Sequence, residues 1–336
     1  MNRSQTVRLV LGAAMATCMQ RAPAVDFFGY MYARQADSTS YRSVDVNLME
    51  IDHNDLDSLR RNGQAGIKAW VNGWFEQYFS PPDGCAALPD ARAFDAWVAK
   101  LKSQNLAGYL GVVYMDEPSY KLFIMKNSAG NGPKCPDPAH PQTASYAVAG
   151  SYINMVIAHV KQAFLPFTPP VGMVEAKPAL VDSRFAAFPS KADWVGFDWY
   201  PSTTNFQAEY RGYLNQLLAK MDASHQRIIF VPQAEFNFSA SPRLSEADVD
   251  SVTDSFLQML QPGQSPDISR KVVAVLPFFG GKNASYVDHR GVTWTSSLTY
   301  DSVERRYKAF AHSHVPQVAA RYNAAMQAMS PAASAR

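Results

Sequence analysis

Eight short apolar runs recur along the chain, and amphipathic helical patterns lie between most of them. The runs are rich in β-branched and aromatic residues, which predicts strands. They span residues 27–32, 44–51, 66–71, 108–115, 171–175, 194–199, 227–231 and 271–276. Because strands that alternate with helices form parallel sheets, and because eight strands suit a closed ring, the pattern predicts an α/β fold with a single (β/α)8 TIM barrel. A chain of 336 residues is long enough for one such barrel with insertions.

The segments between the runs differ in how strongly they predict a helix. Four of them carry apolar residues at helical spacing, namely 90–104, 145–164, 206–223 and 245–261. Residues 33–43 are few and polar, so we expect an abbreviated first βα unit whose helix is short or missing. Residues 177–193 leave room for only a short fifth helix.

Proline interrupts the seventh and eighth runs, at Pro232 and Pro277. Proline has no backbone N–H to donate to a central ladder, so we expect these strands to end at Val231 and Leu276. The residues that follow, including Glu235, would then lie at the mouth of the barrel, where this fold carries its chemistry.

The N-terminus has the three parts of a secretory signal peptide. A short basic segment is followed by the apolar residues 9–19 and by the small-residue site Ala22-Pro23-Ala24. This order predicts a signal peptide at residues 1–24 and a mature barrel domain at 25–330, in a secreted or periplasmic protein. The apolar stretch is too short to predict a membrane span. Two alternatives are a buried N-terminal helix and a lipid anchor on Cys18.

The cysteines support export. Once Cys18 leaves with the signal peptide, Cys85 and Cys135 remain as an even pair in two loops rich in proline and glycine. In an oxidising compartment they are expected to form a disulfide, which would stabilise the fold by about 4 kcal/mol. The alternative is two unrelated loop thiols.

Composition and motifs exclude several classes of function. The formal charge is +2 and no run of Lys and Arg is present, so nothing indicates a nucleic-acid partner. The histidines lack metal-ligand spacing, so no metal is expected. The signatures of dinucleotide binding, of the phosphate loop and of serine esterases are absent as well, and no cofactor is expected.

The fourth run is followed by Asp116, Glu117 and Pro118. In a barrel, catalytic groups lie at the ends of strands. A carboxylic acid that donates a proton near neutral pH needs a raised pKa, and an adjacent negative charge at Asp116 would raise the pKa of Glu117. The alternative is structural, because an acidic residue before a proline commonly caps the start of a helix.

Glu235 follows the seventh run, and with Glu117 it makes the pair of carboxyls that cleavage of a glycosidic bond requires. The alternative for Glu235 is a glutamate at the rim that pairs with an arginine or caps a backbone amide. A third glutamate, Glu175, ends the fifth run and is followed by Lys177, which predicts a structural ion pair.

Aromatic and acidic residues close the sixth run at Asp198, Trp199 and Tyr200. Asp198 and Tyr200 share one face of the strand, so we expect the tyrosine hydroxyl to donate a hydrogen bond to the carboxylate. Trp199 or Tyr200 would also suit stacking on the apolar face of a sugar, with an aromatic plug of the core as the alternative. Tyr30 and Trp70, from the first and third runs, are further candidates for binding substrate.

In their order along the chain, these residues resemble the clan A glycoside hydrolases. Those enzymes are retaining TIM barrels with an acid/base glutamate after strand four and a nucleophile glutamate after strand seven. The resemblance covers residues 26–312 and implies Glu117 as the acid/base and Glu235 as the nucleophile. It also implies that Tyr200 contacts the nucleophile and that the substrate is an oligo- or polysaccharide.

One position departs from the clan's pattern, and it leaves two other hypotheses open. Asp116 stands where the clan's Asn-Glu-Pro motif has asparagine, and an Asp-Glu pair also resembles the retaining hexosaminidases that use the substrate's own acetamido group. There Asp116 would orient the acetamide, Glu117 would be the general acid and Glu235 would bind substrate. The third hypothesis is a barrel that binds glycan at the cell envelope without cutting it, because a fold does not fix a function.

Overall fold

The computed structural model describes residues 25–31, 45–200, 206–236, 245–278, 285–287, 293–297 and 300–329. The expected signal peptide at residues 1–24, with Cys18, lies outside the described residues. So does nearly all of the connection after the first strand, where the abbreviated first helix was expected.

Eight parallel strands form one sheet that curls into a nearly closed barrel. The strands are β1 (Phe27–Phe28), β2 (Leu48–Asp52), β3 (Lys68–Asn72), β4 (Leu110–Asp116), β5 (Val171–Ala176), β6 (Trp194–Asp198), β7 (Arg227–Phe230) and β9 (Val272–Val275). Their order in the sheet is β1-β9-β7-β6-β5-β4-β3-β2, so consecutive strands are neighbours. The predicted single (β/α)8 barrel is confirmed, and each strand falls within or next to a predicted run.

The ring closes between β1 and β2 through one asparagine rather than through a ladder. The Asn47 backbone N–H donates to the Phe28 carbonyl at 3.0 Å, and the Phe28 N–H donates to Asn47 Oδ1 at 2.8 Å. The two backbones approach so closely here that a Cβ on Gly29 would lie 2.1 Å from the Leu48 carbonyl oxygen. Only glycine fits at position 29, which leaves no side chain between the two strands.

Alternate strand residues divide the core into two layers. Leu48, Trp70, Tyr114, Trp194 and Ile229 belong to a cluster inside the barrel. The residues between them pack outward against helices. The helices of the described chain are α1 (Leu56–Gln64), α2 (Trp74–Tyr78), α3 (Arg92–Ser103), α4 (Pro118–Ile124), α5 (Tyr146–Phe164), α6 (Lys177–Val181), α7 (Gln207–Lys220), α8 (Glu246–Met259), α9 (Asp301–His314) and α10 (Pro316–Met329). The expected short fifth helix is α6.

The two prolines lie beyond the paired segments, as predicted. β7 ends at Phe230 and β9 ends at Val275, and a parallel bridge resumes between Gln233 and Phe278. A small antiparallel sheet, which the sequence did not indicate, then follows at the mouth. It joins β8 (Glu235–Phe236), β11 (Thr293–Ser296) and β10 (Ser285–Val287).

The predicted disulfide is confirmed on the outer layer. Cys85 and Cys135 form a disulfide, which ties the loop after α2 to the loop after α4. Ser245 and Asp248 form a complete capping box at the start of α8. Across the part of the chain that the structure describes, none of the helices has the length and apolar character needed to cross a membrane.

Candidate active site

Polar side chains line the mouth of the barrel, above its apolar interior. Side chains two residues apart in a strand lie on the same face. Glu50, Asn72 and Asp116 therefore face inward, as Leu48, Trp70 and Tyr114 do two residues before them. Asp198 likewise lies on the same face of β6 as Trp194. The Asn72 amide donates to Glu50 Oε1 at 3.0 Å, which joins β2 to β3 at this level. The carboxyl ends of the strands, where barrel enzymes hold their reactive groups, therefore carry several acids.

Glu117 lies at the corner between β4 and α4, and its backbone is in the left-handed region, with φ 48° and ψ 42°. This conformation is costly for a residue with a side chain, by roughly 1–2 kcal/mol. It persists because the Glu117 N–H donates to the Val174 carbonyl at 2.8 Å and the Glu117 carbonyl accepts from the Lys121 N–H at 2.9 Å. Pro118 then begins α4. The turn directs the side chain away from the outward face that β4 alternation would give it.

The structural alternative for Glu117 fails. It occupies the cap position of α4, but its side chain makes no capping hydrogen bond. Glu175 of β5 performs that task instead, because its two carboxyl oxygens accept from the Ser119 N–H at 2.8 Å and from the Tyr120 N–H at 3.2 Å. The expected ion pair between Glu175 and Lys177 is wrong. Glu175 faces the start of α4, whereas Lys177 opens α6 and pairs with Glu209 at 3.8 Å.

Both carboxyl oxygens of Asp116 are engaged. The Tyr114 hydroxyl donates to Oδ1 at 3.0 Å, and the Lys121 ammonium donates to Oδ2 at 2.8 Å. The same ammonium reaches Glu76 Oε1 of α2 at 3.1 Å. Asp116 is therefore held as a hydrogen-bond acceptor directly beside Glu117 in the chain.

The predicted contact between Asp198 and Tyr200 is present. The Tyr200 hydroxyl donates to Asp198 Oδ2 at 3.1 Å, and the Tyr200 ring stacks on Phe278 with centroids 4.7 Å apart. The small side chain of Ala176, which pairs with Asp198 in the ladder, separates Asp198 from the β4 corner. The sixth strand thus presents a second, partly buried carboxyl toward the same space.

The electrostatics link these corners. Burial raises the pKa of Glu117 to about 7; the charge of Asp116 adds to this rise and that of Lys121 opposes it. Burial also raises the pKa of Asp198 well above its ordinary value, with Glu117 and Asp116 adding to the rise and the Tyr200 hydroxyl opposing it. Carboxyls from β4 and β6 therefore interact across β5, and neighbouring negative charge raises the pKa of both Glu117 and Asp198.

The remaining predicted site residues take different positions. Trp70 is 2% exposed and stacks on Tyr114, below the mouth. Tyr30 is buried against Phe28 and Tyr307. The Trp199 ring packs on Tyr213 at 4.9 Å, on the helix side of the barrel, and the Lys177 ammonium lies 5.3 Å from its centroid.

Glu235 is described through its backbone alone. Its backbone lies two residues beyond Gln233, past the carboxyl end of β7, and pairs with Ser296 in the small sheet. Its expected place at the mouth, beyond the paired part of strand seven, is therefore consistent with the chain path.

Four residues of the mouth were not anticipated from the sequence: Glu50, Asn72, Glu76 and Lys121. Continuing the alternation of the second and third runs by one inward position would have found Glu50 and Asn72. Glu76 and Lys121 sit on short helices and had no such signal. Within the described ranges, no three His, Cys, Asp or Glu side chains are arranged to hold a metal ion.

Comparison with known proteins supports the fold. No protein-family model and no curated protein matches the chain. Xylanase 10B from Thermotoga maritima is 10% identical, with a TM-score of 0.50 over 86% of this chain and 96% of that one. A GH5_18 variant from Bifidobacterium longum subsp. longum, solved with Manβ1-4GlcNAc, is 11% identical, with a TM-score of 0.51 over 85% of this chain and 78% of that one. Both structures are glycoside hydrolases, and at this identity the likeness shows the fold alone. The fold and the site define a (β/α)8 barrel with an acidic mouth.

Proposed function

We propose that the protein is a retaining glycoside hydrolase, with Glu117 as its acid/base and Glu235 as its nucleophile. One observation carries the proposal: a half-buried glutamate at the end of strand four, whose pKa is raised to about 7 among other carboxyls. Such a group holds a proton near neutral pH and can also release it, which an acid/base must do in turn. The barrel fold shared with two glycoside hydrolases is compatible with this assignment.

The reaction would take two steps. In the first, Glu117 protonates the glycosidic oxygen while the Glu235 carboxylate attacks the anomeric carbon, which breaks the bond to the leaving group and forms a glycosyl-enzyme ester. In the second, Glu117 takes a proton from water as the water attacks the same carbon and releases Glu235. Retention requires the two carboxyls to be about 5–5.5 Å apart.

Substrate would be an oligo- or polysaccharide bound across the mouth. Among the predicted contacts, Asp116 and Asp198 interact electrostatically with Glu117, and Tyr200 donates to Asp198. Trp70 and Tyr30 would act from beneath, by supporting Tyr114 and the first strand. Trp199 would contribute only at the outer rim, on the side of α7.

A second candidate is acetamido-assisted cleavage. It is favoured by the way Asp116 is held, because the Tyr114 hydroxyl and the Lys121 ammonium fix both of its oxygens beside Glu117. A fixed carboxylate acceptor would orient the N–H of a substrate acetamido group. In that case Glu117 remains the acid, and the acetamide oxygen attacks the anomeric carbon in place of Glu235.

The test is a panel of aryl glycosides and polysaccharides with and without 2-acetamido groups, followed by NMR of the product anomer. Retention, together with mass-spectrometric labelling of Glu235 by a 2-fluoro glycoside, supports the first candidate. Activity confined to acetamido sugars, with no labelling of Glu235, supports the second. If the wild type hydrolyses nothing, while Glu117→Gln and Glu235→Gln bind glycan as well as it does, the protein is a glycan-binding barrel and both candidates fail.

Export is part of the proposal. The disulfide between Cys85 and Cys135 and the signal-like residues 1–24 support secretion or periplasmic location. Expression of the full chain, with N-terminal sequencing of the exported product, would give Val25 as the first residue. An acylated Cys18 at the N-terminus would identify a lipoprotein instead.

A further inference from the structure

Lys121 occupies an unusual place for a lysine on a short helix. Its ammonium lies 2.8 Å from Asp116 Oδ2 and 3.1 Å from Glu76 Oε1, and its side chain is one-third exposed. Its own backbone N–H donates to the Glu117 carbonyl at 2.9 Å. Lys121 therefore contacts the corner between β4 and α4 in two ways. Its backbone N–H bonds the Glu117 carbonyl, and its ammonium pairs with the Asp116 carboxylate.

The charges around this corner are almost all negative. In the described part of the chain, Lys121 is the only cation that acts appreciably on Glu117. The titratable groups that face the corner come from α2, β4, α4, β5 and β6; they are Glu76, Tyr114, Asp116, Tyr120, Glu175, Asp198 and Tyr200. One ammonium must therefore offset several carboxyls, and its exact partner distances matter for the proton on Glu117.

Two opposing anchors hold that ammonium. One is the Asp116 carboxylate of β4, and the other is the Glu76 carboxylate of α2. The carboxylate of Asp116 is fixed on its other side by the Tyr114 hydroxyl, so it cannot follow the lysine outward. The position of the positive charge is thus set by residues on three separate elements, β4, α2 and α4.

We propose that Lys121 is a positioning residue of this site. Held between Glu76 and Asp116, it offsets the negative charge around Glu117 and sets the pH at which Glu117 gives up its proton. Its value for catalysis rests on the proposed role of Glu117 as the acid/base. The electrostatic role of Lys121 is independent of which sugar is bound and of which group attacks the anomeric carbon.

Two substitutions give opposite expected signs. Lys121→Met removes the positive charge, so the titration midpoint of Glu117 should rise by about one pH unit. Glu76→Gln removes an anion that neutralises Lys121, so the Glu117 midpoint should fall. Lys121→Arg keeps the charge and should restore a midpoint near that of the wild type. Lys126→Met, at an exposed lysine five residues further along, is the matched control and should change nothing.

The measurement is a carbon-NMR titration of the full chain labelled with carboxyl-13C glutamate, with Glu117 assigned by the signal lost in Glu117→Gln. The alkaline limb of the pH–rate profile should move with the same signs. The outcomes distinguish two failures. If the wild type hydrolyses nothing, the proposed function fails, but the NMR titration still decides the role of Lys121. An unchanged midpoint in Lys121→Met overturns the proposal, and so does an upward shift in both variants. Should Lys121→Met not fold, Glu76→Gln and Lys121→Arg decide it alone: the Glu117 midpoint should fall in Glu76→Gln and stay near that of the wild type in Lys121→Arg. The absence of a fall in the first, or a displaced midpoint in the second, overturns the proposal.

Discussion

The ends of β4 and β5 are neighbouring corners of the barrel, and each carries a glutamate whose pKa is raised to about 7 mainly by burial. Beyond that, the two corners differ. Glu175 is fully buried and accepts two backbone N–H groups that would otherwise lack partners at the start of α4. Glu117 is half-buried at the mouth, on a left-handed backbone, and its carboxyl makes no capping hydrogen bond.

The difference shows that a raised pKa by itself marks burial and not catalysis. What separates the corners is the use of the carboxyl oxygens. Those of Glu175 accept backbone hydrogen bonds of the fold, whereas those of Glu117 make no capping hydrogen bond. The strained backbone of Glu117 is stabilised by its neighbours, and Glu175 is one of them because it holds the helix turn that follows.

The largest expected effect is a difference in enzymatic activity between variants of Glu117 and variants of Glu175. Glu117→Gln should lower the hydrolysis of substrates with poor leaving groups by about 10²–10⁴-fold, because it removes general acid catalysis. Activity on dinitrophenyl glycosides, whose leaving group needs no proton, should fall much less. Glu175→Gln should retain most activity on both substrates. Steady-state kinetics of the two variants on the paired substrates measure this, and equal losses in both variants would contradict the comparison.

The next effect is a difference in the free energy of unfolding between variants of Glu175 and variants of Glu117. Glu175→Ala leaves two buried N–H groups of α4 without acceptors, and each such group costs about 1–3 kcal/mol. We expect a loss of about 2–4 kcal/mol in the free energy of unfolding, measured by urea denaturation. Glu117→Ala should cost little, since its side chain caps nothing. Asp57→Ala, at an exposed carboxylate, is the control for removing a surface charge.

A third effect concerns the pH dependence of stability. The pKa of Glu175 is about 7 when folded and near 4.5 when unfolded, so the folded state binds more protons between these values. Its contribution is therefore fully present below about pH 4.5 and is lost as the pH rises through 7. Between pH 5 and 7 this loss should be about 2 kcal/mol. Glu175→Gln should flatten that part of the unfolding curve, and an unchanged slope would show that Glu175 is not the group responsible.

The smallest expected effect tests whether Asp198 of β6 acts with Glu117 in the site or, like Glu175, stabilises the fold. The Tyr200 hydroxyl lowers the pKa of Asp198, so Tyr200→Phe should raise it further and weaken the ionised form by about 0.5–1.5 kcal/mol. If Asp198 acts with Glu117, activity should fall several-fold and the pH–rate profile should shift upward, with little change in thermal stability. A change in stability alone would place Asp198 with Glu175, as part of the fold.

Local patterns predicted much of this architecture. The period of two and the apolar runs located all eight barrel strands, because a strand buried on both faces must be apolar throughout. The same period placed Asp198 and Tyr200 on one face, where their hydrogen bond forms. The prolines at 232 and 277 correctly marked the ends of pairing, and the two loop cysteines that remained after Cys18 form the disulfide.

Other features depended on contacts between distant parts of the chain. Glu175 contacts the start of α4, which lies some 55 residues earlier in the chain. The nearby Lys177 had predicted an ion pair with Glu175 that does not form. Lys121 looked like an ordinary helix lysine until Glu76, 45 residues earlier, was brought beside it. Nothing in the sequence near either residue specifies such a pairing.

By itself, then, the sequence determined the number of strands, their order along the chain and the corner where Glu117 stands. Those properties follow from steric and hydrophobic periodicity over a few residues. Only the tertiary structure decided which carboxyl caps a helix, which one has a raised pKa at the mouth, and where the Lys121 ammonium lies beside them. Burial and Coulomb interactions depend on distances through space, and closure of the barrel sets those distances.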